Sequence, residues 1–292
     1  EGYLHELMQA VANPPVLKDG RDCNSGARPE QQFPLSETCV FEEFAGSPAL
    51  VLVGDSHAQT LAASVKSLAH SNRLNFIQIS QSGCPHIVGE YTSQLCKERS
   101  ETLRSFLKEL SNPTIIYSAR ILWFIEDDWM DYRTRGKDAR DKIRDDEQEA
   151  NRRSQRTSYV TSTLNSWLDD GYREVIVYPV PETDKPVFVS LLWNPVPIQM
   201  AEQMPELSTP YDDFKKHIAS SYAALDQVDG PNVMRVYPEK LFCRKQSGKC
   251  FATESDRIYF YDKSHVTGLG SDLIVREVAN RLKLKVPESF RK

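Results

Sequence analysis

From residue 48 onward, the chain alternates between short apolar runs and longer stretches with helical spacing. This alternation restricts the fold more than any other feature of the sequence. "PALVLVGD" reads as a buried strand, and "SHAQTLAASVKSLAHSN" follows with Leu61, Val65 and Leu68 on one helical face. "LNFIQIS" is the next strand. "KERSETLRSFLKELSN" is an amphipathic helix, and "PTIIYSAR" is a strand. "SYVTSTLNSWLDDGY" is a helix ending near Gly171, and "REVIVYPVPE" is a strand running into a Pro-rich loop through Pro197. "YDDFKKHIASSYAALDQV" is a helix, "NVMRVYPEKLF" a strand and "GLGSDLIVREVANRLKLK" the last helix. Strands separated by helices of this length predict βαβ units and a mostly parallel sheet with helices on both faces. The fold class is therefore α/β. In such sheets ligands bind beyond the carboxyl ends of the strands. The loops to inspect are 54–57, 80–86, 118–123, 179–185 and 259–265.

Residues 1–47 read differently. "NPP" and "ARPEQQFP" interrupt any periodicity and describe an irregular arm packed on a domain of residues 48–292, with "YLHELMQAV" as a short helix. The densely charged "DDWMDYRTRGKDARDKIRDDEQEANRRSQ" reads as a solvated helix or a mobile insertion. The longest apolar runs, "ALVLV" and "ILWFI", are strand-sized and far short of the roughly 20 residues of a membrane span. No signal peptide is visible, and the chain begins without Met, as an excised or processed piece would. The net charge of −5 is mild, and no clustered basic face points to nucleic acid.

Six cysteines fall into three sequence-local pairs: Cys23 with Cys39, Cys84 with Cys96 and Cys243 with Cys250. Short loops close with the least entropy cost, so these are the expected bridges, and bridges imply an oxidising compartment. Two alternatives stay open: a metal site using Cys84, His86 and Cys96, whose spacing matches no common zinc pattern, and reduced buried thiols.

The chemistry sits at strand ends. Ser56 follows "VLVGD" directly and opens a helix, where free N–H groups and the positive dipole end can stabilise an oxyanion. Gly54 permits a tight turn, and Asp55 can cap the helix. Taken alone, Gly-Asp-Ser is more often a helix cap than a nucleophile site. A serine nucleophile needs a base, and the base needs an orienting acid. "RIYFYDKSHVTGLGSD" supplies both: an apolar strand ends at Tyr261, Asp262 follows, and His265 comes three residues later. Taken singly, His265 reads as a loop histidine and Asp262 as a turn residue. Their pairing with the Ser56 motif assigns acid and base.

His57 is structural or pocket-lining, and His5, His70 and His217 lie elsewhere. His86 is the one competitor to His265, but no acid is near it in sequence. "SQSGCPHI" places Gly83 in a strand-end loop, where its N–H can serve as the second oxyanion donor beside that of Ser56. It also reads as a turn glycine beside a disulfide.

Together "GDSH", Gly83 and "DKSH" resemble the SGNH (GDSL-type) hydrolase superfamily, in the order Ser, Asp, His, over residues 48–285. "VLVGDSHAQTL", "SGCPHI", "IIYSARILW", "KLFCRKQSGKC" and "YFYDKSHVTGLGSDLI" are similar to the periplasmic SGNH domain of acyltransferase family 3 fused proteins. Those proteins O-acetylate bacterial surface polysaccharides, including lipopolysaccharide O-antigen. The resemblance implies a three-layer, flavodoxin-like sandwich and a serine-dependent acetyl transfer that needs no cofactor or metal. It also implies an acetyl donor delivered by a membrane acyltransferase domain of the same parent chain, a polysaccharide acceptor and a periplasmic location, tethered to the inner membrane. Residues 1–47 would then be the linker from the last membrane helix.

One departure stands out. The superfamily's third block is Gly-x-Asn-Asp, and here the equivalent strand end reads "YSARILW", without the Asn. Ser118 or Arg120 is the candidate replacement in the oxyanion hole, with Arg120 equally a structural or substrate-contacting cation. The rival functions are a free-standing secreted carbohydrate acetylesterase and a non-catalytic polysaccharide-binding domain.

Overall fold

A computed structural model of the chain describes residues 15–26, 28–89, 93–126, 146–183, 187–192 and 205–290. At its centre lies a seven-stranded sheet. In chain order the strands are β1 (Asn24–Ser25), β2 (Cys39–Phe41), β3 (Ala49–Gly54), β4 (Asn75–Gln81), β5 (Thr114–Ser118), β6 (Arg173–Val177) and β7 (Val233–Val236). Across the sheet they run β7-β6-β5-β3-β4-β1, and β2 also pairs with β4. Every pairing is parallel except β2 with β4. The chain moves outward from β3 to β4, then returns to lay β5 on the other side of β3. The gap between β3 and β5 is therefore the topological switch point, where loops diverge and leave a crevice.

Successive strand residues point to opposite faces, and the two faces bury separate cores. Leu50, Leu52, Ile116 and Val175 pack with Ala58, Leu61 and Val65 of α1 (Ser56–Ser71) and with Ile274, Val275 and Val278 of the last helix, Gly268–Leu282. Val51, Val53, Ile77, Ile79 and Ile115 pack on the other face. Their partners are Leu103 and Leu107 of α2 (Gln94–Glu109), Ile121 and Ile125 of α3 (Ile121–Glu126), and Val160, Leu164 and Trp167 of α4 (Asp146–Asp169). Each such aliphatic side chain contributes about 1.5–3 kcal/mol on burial. The last helix, α5, begins at the Thr267 cap, whose side chain accepts from Gly270 N–H.

All six cysteines are paired, as Cys23–Cys39, Cys84–Cys96 and Cys243–Cys250. The N-terminal arm is less irregular than its sequence suggests. β1 and β2 extend the sheet at β4, and the Cys23–Cys39 bridge ties them together.

Several elements differ from the sequence expectation, among them a short helix, Val187–Leu192, within the stretch expected as a Pro-rich loop. The strand at "TIIYSAR" stops at Ser118, and "ILWFI", to which the sequence reading assigned no element, lies in helix α3. The helix expected over residues 211–228 is two, Tyr211–His217 and Ala219–Asp226, divided where Ile218 leaves helical geometry (φ −97°, ψ 8°). β7 ends at Val236, and Pro238 precedes a short helix, Glu239–Phe242. Finally, "RIYFY" is not a strand of the central sheet. Arg257–Ile258 pairs with Thr253–Glu254 and Phe260 bridges Val266, while β7 is the edge strand of the central sheet. The N-terminal helix expected at "YLHELMQAV", part of the charged segment and part of the Pro-rich loop lie outside the described residues.

Glu174 on β6 is fully buried, and neither carboxyl oxygen has a hydrogen-bond partner. Burial pushes its pKa up to about 9. The unfolded chain ionises this group near its ordinary value while the fold keeps it protonated. Its share of stability is therefore complete below about pH 4.5 and is lost as pH rises toward 9. Glu174→Gln removes that titration. Urea unfolding should find the variant close to wild type at pH 5 and more stable by about 1 kcal/mol or more at pH 8.

Candidate active site

The turn after β3 is built on glycine for a steric reason. Gly54 adopts φ +150°, and a Cβ there would lie 1.8 Å from the Ser118 carbonyl oxygen. Only a residue without a side chain lets β3 and β5 approach so closely. Asp55 follows as the N-cap of α1. One carboxylate oxygen accepts from His57 N–H at 2.8 Å and the other from Arg120 N–H at 2.8 Å. Burial opposes this charge, but His57 and the two amide donors outweigh it and hold the carboxyl below its ordinary range. The expected cap thus also holds the turn after β5. Ser56 emerges as the first residue of α1, at the carboxyl edge of the sheet and beside the switch point.

The second loop folds back on itself. Phe260 and Val266 form an antiparallel bridge, and Tyr261 N–H donates to His265 O at 3.0 Å. Inside this turn one Asp262 oxygen accepts from the backbone N–H groups of Ser264 (2.9 Å) and His265 (2.7 Å). The other Asp262 oxygen accepts from His265 Nδ1–H at 2.6 Å. Burial would raise the Asp262 carboxyl, but the bonds from His265 and the two amides pull it below its usual value. With Nδ1 donating to a carboxylate, Nε2 is the bare nitrogen. Ser56 O–H donates to it at 2.8 Å. Three side chains from positions 209 residues apart therefore form one hydrogen-bonded chain.

The remaining sequence candidates are placed as follows. Gly83 lies in the turn after β4 with φ +73°, a left-handed conformation that favours glycine. Neither its amide nor that of Ser56 donates to another protein group among the described residues. Ser118 closes β5 and lines a small pocket with His57, Thr60, Tyr178 and Ser264. Arg120 does not point a free guanidinium at the serine. Its Nε donates to Glu182 at 2.7 Å, its second nitrogen also bonds that carboxylate, and the group stacks over the Trp123 ring at 3.7 Å.

His86, the competing base, is fully buried, with both ring nitrogens unpartnered. Burial, and then the nearby Arg99 cation, push it down to about 3, so it stays a neutral core side chain. Cys84 and Cys96 are spent in a disulfide and offer no thiolate to a metal.

Sequence reasoning missed Glu182. Burial would raise this acid, yet the nearby His217 and the hydrogen-bonded Arg120 guanidinium bring it down to about 2. Its carbonyl accepts from Thr209, and the next residue, Thr183, donates its N–H to Lys263 O at 2.8 Å. The loop after β6 thus joins the Arg120 turn to the Asp262–His265 turn. The available signal was an acid at a strand end, in "YPVPE". His57, expected to be structural or pocket-lining, does line the pocket beside Ser118 and lies against the His265 ring; the Tyr261 ring beside His265 was missed, having no signature at the level of spacing.

Residues 22–280 match the model of the SGNH domain that is fused to AT3 domains. The chain belongs to this SGNH domain family. Among solved structures, the SGNH domain described here is similar to the periplasmic domain of a lipopolysaccharide acetyltransferase from Salmonella ser. Paratyphi A. The TM-score is 0.55 at 14% identity, covering 97% of this chain and 95% of that one. At that identity the two share a fold. A putative acylhydrolase from Bacteroides fragilis NCTC 9343 aligns with TM-score 0.38 and 10% identity, over 96% of this chain and 95% of that one. No curated protein matches this chain. Among the described residues no helix is long and apolar enough to cross a membrane.

Gly54 gives this arrangement a direct test. Gly54→Ala drives a methyl group into the Ser118 carbonyl, and backbone on both sides must yield. Urea denaturation should show a loss of about 3 kcal/mol or more, well beyond an ordinary Gly→Ala change in a strand.

Proposed function

We propose that this SGNH domain is an O-acetyltransferase module that carries an acetyl group on Ser56 and passes it to a sugar hydroxyl. The observation that carries this reading is the hydrogen-bonded chain Ser56–His265–Asp262 at the switch point. In the first half-reaction Ser56 Oγ gives its proton to His265 Nε2 and attacks the acetyl carbonyl. Asp262 stabilises the imidazolium and keeps its Nδ1 protonated. The carbonyl oxygen becomes an oxyanion at the amides of Ser56 and Gly83, beside the positive end of α1. The leaving group takes the proton from His265, and an acetyl-serine remains. In the second half-reaction the acceptor hydroxyl gives its proton to His265 and attacks the acetyl carbonyl. Collapse of that intermediate frees Ser56, which recovers its proton from the imidazolium. The chain uses no cofactor in these steps.

The third-block Asn is absent, and of the two proposed substitutes Ser118 fits better as an oxyanion donor. The guanidinium of Arg120 is held by Glu182, which supports a structural role for it. Family membership supports an acetyl donor supplied by a membrane acyltransferase domain. The three disulfides support an extracytoplasmic setting. Together they favour a periplasmic module tethered to the inner membrane and acting on a surface polysaccharide such as O-antigen. Residues 1–47 are proposed as the linker and 48–292 as the catalytic domain.

Water can resolve the same intermediate, so the isolated domain should hydrolyse a small acetyl ester. Ser56→Ala and His265→Ala should each lower kcat/KM by several powers of ten with the thermal midpoint retained, and activity near wild type would reject the assignment. Mass spectrometry of the tryptic Ser56 peptide after rapid acid quench should find an acetyl adduct in wild type and none in Ser56→Ala. Adding an acceptor polysaccharide should speed loss of that adduct. An unchanged rate would favour an esterase.

A further inference from the structure

Hydrogen bonds at its two nitrogens hold the His265 imidazole along one line. Nδ1 meets Asp262 at 2.6 Å and Nε2 meets Ser56 at 2.8 Å. Rotation about Cβ–Cγ, a soft torsion in histidine, would carry both nitrogens away from these partners. In addition to the two bonds, contacts on the ring's faces oppose that motion. Two rings supply them. The His57 ring lies 4.7 Å away between centroids, inclined at 32°, and the Tyr261 ring lies 5.6 Å away, nearly parallel at 15°. Those two rings make no contact with each other among the described residues, so they meet the imidazole at different places.

The His57 ring also lies beside the Asp55 carboxylate and helps keep that carboxyl below its ordinary range. His57 is 8% exposed, and neither of its ring nitrogens has a hydrogen-bond partner. Its Nδ1 lies 3.3 Å from Asp55 Oδ1 without the alignment of a hydrogen bond. Leaving buried polar atoms unpaired costs about 1–3 kcal/mol each, and such atoms in a native fold call for an explanation. The ring contributes a face here instead of hydrogen bonds. Tyr261 is held in place by its own backbone bond to His265 O. Burial raises its phenol above the ordinary range, so it stays neutral and presents an aromatic face.

We infer that His57 and Tyr261 are positioning residues that fix the His265 ring by face contact, keeping Nε2 on Ser56 Oγ while the proton moves between them. Their kinetic effect rests on the reading of Ser56, His265 and Asp262 given above. The face of Tyr261 also favours the imidazolium that forms when Ser56 gives up its proton.

The test compares His57→Leu and Tyr261→Leu with His57→Phe and Tyr261→Phe. Two quantities are read: kcat and KM on a small acetyl ester, and the proton–carbon NMR correlation of the His265 ring. Each Leu variant should lose about three- to tenfold in kcat with KM changed by less than about twofold. Its His265 ring signal should broaden or split, while the Phe variants keep a sharp signal and near wild-type kcat. Leu variants with wild-type kcat and a sharp signal overturn the inference, as do Phe variants as impaired as Leu. Where a Leu variant fails to fold, the Phe variant decides: retained kcat and a sharp ring signal support face contact, and a loss of about tenfold overturns it. The ring signal does not depend on turnover. A failure of the catalytic reading therefore shows separately, as esterase activity surviving Ser56→Ala with the His265 signal still responding to its neighbours.

Discussion

A single buried carboxylate holds the two sides of the switch point together. Asp55 accepts the amide of His57 with one oxygen and that of Arg120 with the other. The first bond fixes where α1 begins and so where Ser56 stands. The second fixes the turn that ends β5, and with it Ser118 and Arg120. A neutral side chain could satisfy one donor. A carboxylate satisfies both and gains strength from its charge in a buried setting. Gly54 completes the device, because no Cβ fits between β3 and the Ser118 carbonyl.

The remaining loops are tied to this centre by a few polar contacts. Glu182 grips the Arg120 guanidinium, and Thr183 donates to Lys263 beside Asp262. Three loops from separate parts of the chain thereby share one rigid frame. Side chains held this way need little reorganisation during reaction, the condition under which oriented dipoles are most effective. The Cys84–Cys96 bridge anchors the Gly83 loop to α2, so an oxidising environment also contributes to the geometry of the site.

Much of this is legible in the sequence. Strand–helix alternation gave β3 to β7 and the parallel sheet, because fully buried strands read as unbroken apolar runs. Ser56, Asp262 and His265 were legible because each sits at a break in that pattern. The pairing of the six cysteines followed from loop length. "RIYFY" was misread for a physical reason: an apolar run reports burial and not the partner, and Ile258, Tyr259 and Phe260 are buried in the core packed with α1 and α5 instead of within the sheet. Glu182 and His86 look alike at sequence level, each a polar residue in a strand-end loop. Packing alone makes one an ion-pair anchor and the other a neutral core histidine.

The sequence by itself determined the local chemistry: which backbone turns are possible, which residue types can act as nucleophile, acid and base, and which segments must be buried. Hydrophobic period, turn residues and loop closure act over a few residues, so they can be read in one dimension. Only the tertiary structure decided what those groups face. It brought His265 to Ser56 across 209 positions, committed Arg120 to Glu182, and set His57 and Tyr261 against the imidazole. Those outcomes depend on the relative placement of elements distant in sequence. That placement follows from the summed packing of two cores, which no local pattern encodes.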